Sequence, residues 1–153
     1  MRFGRFAAQR CADEGLRKPG TFDFLGFTHV CTKKRVGGFQ VGRRTSRARL
    51  VRQIRAVQAE LKRRLHNRPS QTLKWLARVM QGHMNYYSVP GNIYRVTLFR
   101  DEIVRRWFKI LKRRSQRSSI VRSWFCSWVN RLMPRAYVVH LYPEERFFAK
   151  YSQ

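Results

Sequence analysis

The apolar positions of this chain change period along its length, and those changes mark its organisation. The first twenty residues hold no sustained period and end at Lys18-Pro19-Gly20, a turn signal, so an irregular polar lead-in is expected there. From Thr21 the stretch TFDFLGFTHVC is aromatic and β-prone, KKRVGG supplies a basic turn with a glycine pair, and FQVGRR follows. Two such runs about a glycine turn predict a β-hairpin, with Gly26 permitting a bulge or a close backbone approach.

After Thr45 the period becomes helical. Leu50, Ile54, Val57, Leu61 and Leu65 recur three and four apart, which predicts an amphipathic helix with Arg49, Arg52, Arg55, Lys62 and Arg63 opposite the apolar stripe. Asn67-Arg68-Pro69 stops it, and Ser70 suits the N-cap of a second helix carrying Leu73, Leu76, Met80 and Tyr87. Val89-Pro90-Gly91-Asn92 breaks the chain before a third helix through Val96, Phe99, Ile103, Trp107 and Ile110, backed by Arg105, Arg106, Lys109, Lys112 and Arg113. The link RRSQRSS leads to a fourth, through Trp124, Phe125, Trp128, Val129 and Leu132, which Pro134 ends. The expected fold is mainly α, a bundle of three to four helices preceded by a β-hairpin. Its parts are 1–44 with the hairpin, a helical domain over 45–135, and an aromatic tail over 136–153 that is too short for a domain.

Charge changes the picture. Of 153 residues, 34 are Lys or Arg and 8 are Asp or Glu, a formal net charge of +26. The charged and hydrophobic shares are ordinary, at 27% and 43%, so a core can form and only the sign is anomalous. Arg supplies 26 of the 34 bases, and its planar fork suits phosphate better than Lys does. Codon composition could raise Arg, but it does not remove acids. Residues 31–68 hold thirteen bases and one acid, Glu60, and residues 103–143 hold no acid. A solvated face normally mixes both signs, so these one-signed faces point to a polyanion, nucleic acid above all. No apolar run reaches the roughly 18 residues of a membrane span, and no secretory signal is expected. Cys11, Cys31 and Cys126 are widely spaced, with no CxxC pair, which suits a reducing, cytoplasmic setting.

Candidate chemistry is sparse. The acid pairs Asp13-Glu14, Asp101-Glu102 and Glu144-Glu145 are sequence neighbours, which diverge on a helix and do not aim at one metal. Asp101-Glu102 is read as lying near the start of the third helix, where acids favour the dipole. His29, His66, His83 and His140 show no HExxH spacing, and His83 is read as a hydrogen-bonded core histidine rather than a ligand or base. No catalytic, metal or cofactor residues are expected. Phe22, Phe24, Phe27 and Phe39 either stack bases or pack the hairpin on a neighbour.

Several blocks together resemble the C-terminal part of bacterial group II intron reverse transcriptase/maturases. They are Thr21-Phe22-Asp23-Phe24-Leu25-Gly26-Phe27-Thr28-His29, Gly82-His83-Met84-Asn85-Tyr86-Tyr87 with Val89-Pro90-Gly91-Asn92, and Tyr142-Pro143-Glu144-Glu145-Arg146-Phe147, with Phe3-Gly4-Arg5-Phe6-Ala7 as a fainter match. The likeness is colinear over nearly the whole chain. It implies that Phe24-Leu25-Gly26-Phe27 is the last block of a polymerase domain, which helps seat a primer terminus. It also implies that residues from about Thr45 to Leu111 are the maturase thumb, or X domain, which grips primer–template and intron RNA during splicing and reverse transcription. The aromatic-x-Asp-Asp motif of such polymerases, with the Mg2+ it binds, belongs to a palm expected upstream of Met1 and is not in this sequence.

The expected function is RNA binding without polymerase activity. Lys33, Lys34, Arg35, Arg43, Arg44, Arg49, Arg52, Lys62 and Arg63 form one candidate phosphate-contacting set, and Lys112, Arg113, Arg114 and Arg117 a second. Expected partners are intron RNA and primer–template, with no membrane. Two alternatives stand beside this: a thumb fragment working only in trans with a separate palm, or a non-functional truncated remnant.

Overall fold

The computed structural model describes residues 2–34, 37–114 and 120–142. The chain divides into two compact units, Met1–Arg49 and Leu50–Gln153.

Unit one opens with a helix, α1 (Ala7–Asp13), inside the stretch expected to be irregular. Only Ala7 and Cys11, one turn apart, are buried on it. Two apolar contacts are too few to establish a readable period. Three strands follow, β1 (Phe22–Phe24), β2 (Phe27–Lys33) and β3 (Phe39–Thr45), in one antiparallel sheet of order β1-β2-β3. The expected two-stranded hairpin is therefore a three-stranded sheet, and the fold is mixed α/β rather than a hairpin leading into helices.

The difference arises at Leu25-Gly26. Phe24 pairs directly with Phe27, leaving two residues for the turn, with φ of +49° at Leu25 and +81° at Gly26. Positive φ at both central positions is the type I′ turn, whose twist matches that of the flanking strands. Leucine is a poor residue for that geometry, which is why TFDFLGFTHVC reads as one strand. Gly42 of β3 meets a different demand, since a Cβ there would lie 2.9 Å from Cγ2 of Val30 and 3.0 Å from Cγ2 of Thr32.

Unit two is helical: α2 (Arg47–Arg63, whose first turn belongs to unit one), α3 (Pro69–Tyr87), α4 (Ile93–Arg114) and α5 (Arg122–Leu132). Helices α3, α4 and α5 pack on one another. Leu73, Leu76 and Met80 of α3, Val96, Phe99, Ile103 and Trp107 of α4, and Phe125 and Val129 of α5 are buried. Leu50, Ile54 and Leu61 of α2 are buried too, with Val57 and Leu65 part-exposed at the margin of the stripe. On α5 the apolar arc is wider than the surface its neighbours cover. Trp124 and Leu132, expected inside, are 63% and 55% exposed, while Met133 is buried. No described helix is long and apolar enough to cross a membrane.

His83 occupies the core, but its contacts are aromatic. Its ring stacks on Phe99 at 3.7 Å between centroids and on Tyr87 at 4.7 Å, and Nε2 has no hydrogen-bond partner among the described residues. The hydrogen-bonded histidine expected there is thus a stacked one as far as Nε2 is concerned. Desolvation lowers its pKa from 6.5 to about 4, so the folded protein holds the neutral ring.

Two predictions follow from these packings. Between pH 6.5 and about 4 the unfolded chain binds a proton at His83 that the native state refuses, so stability is complete above 6.5 and falls as pH drops towards 4. His83→Phe should flatten that dependence, removing a loss on the order of 3 kcal/mol, as read by denaturant unfolding at pH 7 and pH 4.5. Leu25→Asn should raise stability by about 0.5–1 kcal/mol by suiting the left-handed turn, a shift visible in the urea midpoint without a change in slope.

Candidate nucleic-acid interface

Core packing decides which cations face outward. With Leu50, Ile54 and Leu61 of α2 turned inward, 100° per residue carries Arg52, Arg55, Lys62 and Arg63 to the far side, where all four are exposed. Arg52, Arg55 and Lys62 make no ion pair among the described residues. The one acid of α2, Glu60, is held by Arg64 at 2.8 Å and Arg63 at 3.4 Å. Arg64 also lies 4.6 Å over the Trp75 ring, a cation–π contact joining α2 to α3.

Helix α4 is not basic along its whole outer side. Glu102 takes hydrogen bonds from Arg105 at 2.7 Å and Arg106 at 3.3 Å, and Arg106 also donates to Gln58 of α2. The Arg105 hydrogen bond, outweighing partial desolvation and aided by the charges of both arginines, holds the Glu102 carboxyl below the usual carboxylate range. Asp101 and Glu102 sit well inside α4, because the helix begins at Ile93. Their position is explained by arginine pairing rather than by the dipole expected from sequence.

In the last turn of α4, Lys112, Arg113 and Arg114 are exposed, as is Lys109 just before it. Arg114 reaches the Asn67 carbonyl, at 3.5 Å, in the link between α2 and α3. That contact ties the last turn of α4, which carries Lys112, Arg113 and Arg114, to the segment that follows Lys62 and Arg63 of α2. A C-terminal dipole favours cations in a last turn, worth typically 0.3–1 kcal/mol each, and here two end α2 and three end α4.

In unit one the candidates do not share a surface. Side chains alternate across the sheet, so Arg43 lies in a cross-strand row with His29 and Phe22, while Arg44 lies with Thr28 and Asp23 on the other face. Lys33 and Lys34 close the far end of β2, and Arg49 is exposed in the first turn of α2. Arg35 and Arg117 lie outside the described residues, as do Pro143, Glu144, Glu145, Arg146 and Phe147. Of the primer-seating candidates, Phe24 and Leu25 are 59% and 67% exposed at the hairpin tip, Gly26 forms the turn and accepts the Ser46 N–H, and Phe27 is buried.

The block from Gly82 to Asn92 has a mainly architectural role. Ser88, fully buried, accepts the N–H groups of Val139 and His140 at 3.0 and 3.2 Å and donates its hydroxyl to the Tyr137 carbonyl. Asn92, also fully buried, donates from Nδ2 to the Tyr87 carbonyl at 2.8 Å, and its own carbonyl accepts from Arg95 and Val96 as α4 begins. Nε2 of His140 lies 2.6 Å from the Asn85 carbonyl. Arg100 binds the Pro134 carbonyl and the Asn130 side chain, so α4, α5 and the segment after it converge on this corner.

Sequence reading passed over Tyr94, which is 72% exposed and falls opposite Ile103 on α4, on the side that carries Lys112. The helical wheel itself was the signal, since an aromatic off the stripe has no core to enter. Trp124 was missed for the opposite reason, being counted into a stripe wider than the available core. Among the described residues no group of three His, Cys, Asp or Glu side chains could hold a metal ion, and the three cysteines are free. No protein-family model matches the chain, and no characterised protein or solved structure matches it either.

The division between architecture and interface is measurable. Asn92→Ala should cost about 1 kcal/mol or more by removing the buried hydrogen bond from Nδ2 to the Tyr87 carbonyl, which then keeps only the Val89 N–H. Arg52→Ala, exposed and unpaired, should stay within about 0.5 kcal/mol in the same denaturant titration.

Proposed function

We propose that this chain is an RNA-binding domain of the kind found in group II intron maturases, gripping structured RNA through phosphate contacts from its basic helices. The observation that carries this reading is the cluster at one end of the helical unit. There Lys62 and Arg63 end α2, Lys112, Arg113 and Arg114 end α4, Arg114 reaches the Asn67 carbonyl just beyond α2, and the one acid of α2, Glu60, is already occupied by Arg63 and Arg64. Arg52 and Arg55 extend the basic row along α2. At about 1.5 Å of rise per residue, Arg52 to Arg63 spans roughly 16 Å, enough to follow several phosphates of one strand.

The resemblance of FDFLGFTH and of GHMNYY with VPGN to maturase blocks supplies the family part of the proposal. In that reading the exposed Phe24-Leu25 tip seats a primer end, and a strained turn carrying two exposed apolar side chains suits a contact surface. The chain acts as a binding module. Polymerisation, with its Mg2+, belongs to a palm bearing the aromatic-x-Asp-Asp motif, and intron RNA or primer–template is the partner.

Titration of a structured RNA hairpin by fluorescence anisotropy over a range of salt tests the mechanism. Log affinity should fall steeply and linearly with log salt, and alanine at Arg52, Lys62, Lys112 or Arg113 should each reduce the slope by about one unit. Affinity that is insensitive to salt would sink the proposal.

A further inference from the structure

Unit one contains a groove of about 670 Å³ that phosphate contacts by the helices do not use. It lies between the N-terminal residues 4–8 and the Lys33–Phe39 end of the β2–β3 pair. Lys33 and Phe39 are direct cross-strand partners, and Cys31 lies two residues along β2 on the same face. Phe6, 58% exposed, lines the groove together with Phe39, while Arg5 and Lys33 bring exposed cations to it. Among the described residues no acidic side chain lines it.

These features together select a ligand class. The volume is that of a small-molecule site, large enough for a nucleotide. Two aromatic side chains in the lining suit a planar group, and two cations with no carboxylate among the described lining residues favour a group that carries negative charge. A base with its phosphate meets both demands. A paired base does not, because its faces are covered by its neighbours in the stack, whereas an unpaired base in a loop or an end can be splayed onto an aromatic ring. An uncharged apolar peptide would leave the two cations without a role.

We propose that this groove binds an unpaired nucleotide of an RNA strand, its base against Phe6 and Phe39 and its phosphate held by Arg5 and Lys33. The proposal rests on the RNA-binding reading and adds to it a division of labour. The helical unit grips structured RNA by its backbone, and the N-terminal unit captures a single-stranded segment.

Cys31 provides a reporter inside the groove, and Cys126, on α5, provides a reference in the other unit. The test is iodoacetamide labelling of the full chain, followed by mass spectrometry, with a single-stranded oligouridylate or a blunt RNA hairpin as probe. Oligouridylate should slow alkylation of Cys31 and not of Cys126, and the blunt hairpin should slow neither. Phe6→Ala, at an exposed position that folding tolerates, should weaken oligouridylate binding roughly tenfold while hairpin affinity stays within about twofold. Retained hairpin binding with an unprotected Cys31, or with Phe6→Ala indistinguishable from the parent, would overturn the groove assignment and leave the helical interface standing. Failure of both RNAs to bind would overturn the RNA-binding reading and the groove with it.

Discussion

Repulsion among like charges constrains every part of this protein. Thirty-four cations and eight acids must surround a core that holds the compact state together, and each native cation is closer to its neighbours than it is in the unfolded chain. The acids are accordingly spent where they relieve most strain. Glu60 engages Arg63 and Arg64, Glu102 engages Arg105 and Arg106, and Glu14 engages Arg2. Neutral acceptors engage arginines as well: Arg100, which also pairs with Asp101, binds the Pro134 carbonyl and Asn130, Arg106 binds Gln58 besides Glu102, and Arg114 binds the Asn67 carbonyl. Arg52, Arg55 and Lys62 of α2 and Lys112 and Arg113 of α4 stand outside these arrangements, exposed and without an ion pair among the described residues.

The polar groups of the core act differently. Ser88 and Asn92, both fully buried, stand at the corner between α3 and α4, and the hydrogen bonds they make go to backbone groups. A bundle stabilised by apolar contacts alone could slide, whereas a buried backbone acceptor must find its donor at one position. This corner therefore sets where α4 starts and where the segment after α5 is held. His83 lies one turn before it, its imidazole kept neutral between aromatic rings. The block most useful for recognising a family resemblance thus has a structural explanation of its own, independent of any RNA.

Legibility followed the strength of the periodic signal. The stripes of α2, α3 and α4 named most of their buried residues, since 3.6-residue spacing leaves few alternatives over four or more turns. The lead-in helix α1 and the turn at Leu25-Gly26 were unreadable, one for having only two buried positions and the other for placing leucine where Asn or Asp would announce the turn. Among the candidate site residues, exposure followed from the helical wheel, but partnership did not. Lys112 is exposed as the wheel implies, while Arg105 and Arg106, placed on the same side of the helix by sequence, are engaged by Glu102 and Gln58.

Sequence by itself therefore determined the four long helices of the chain's second part, the aromatic strands before them, and the sign and approximate placement of the charge. These depend on local spacing and composition, which each segment carries with it. Tertiary structure alone decided that the strands number three, that Arg43 and Arg44 part to opposite faces, and that the ends of α2 and α4 meet through Arg114 and Asn67. It alone opened a groove between residues 4–8 and the sheet. Such outcomes join residues distant in the chain, and their geometry is set by packing and by the partners that buried polar groups must find, which no periodicity in the sequence records.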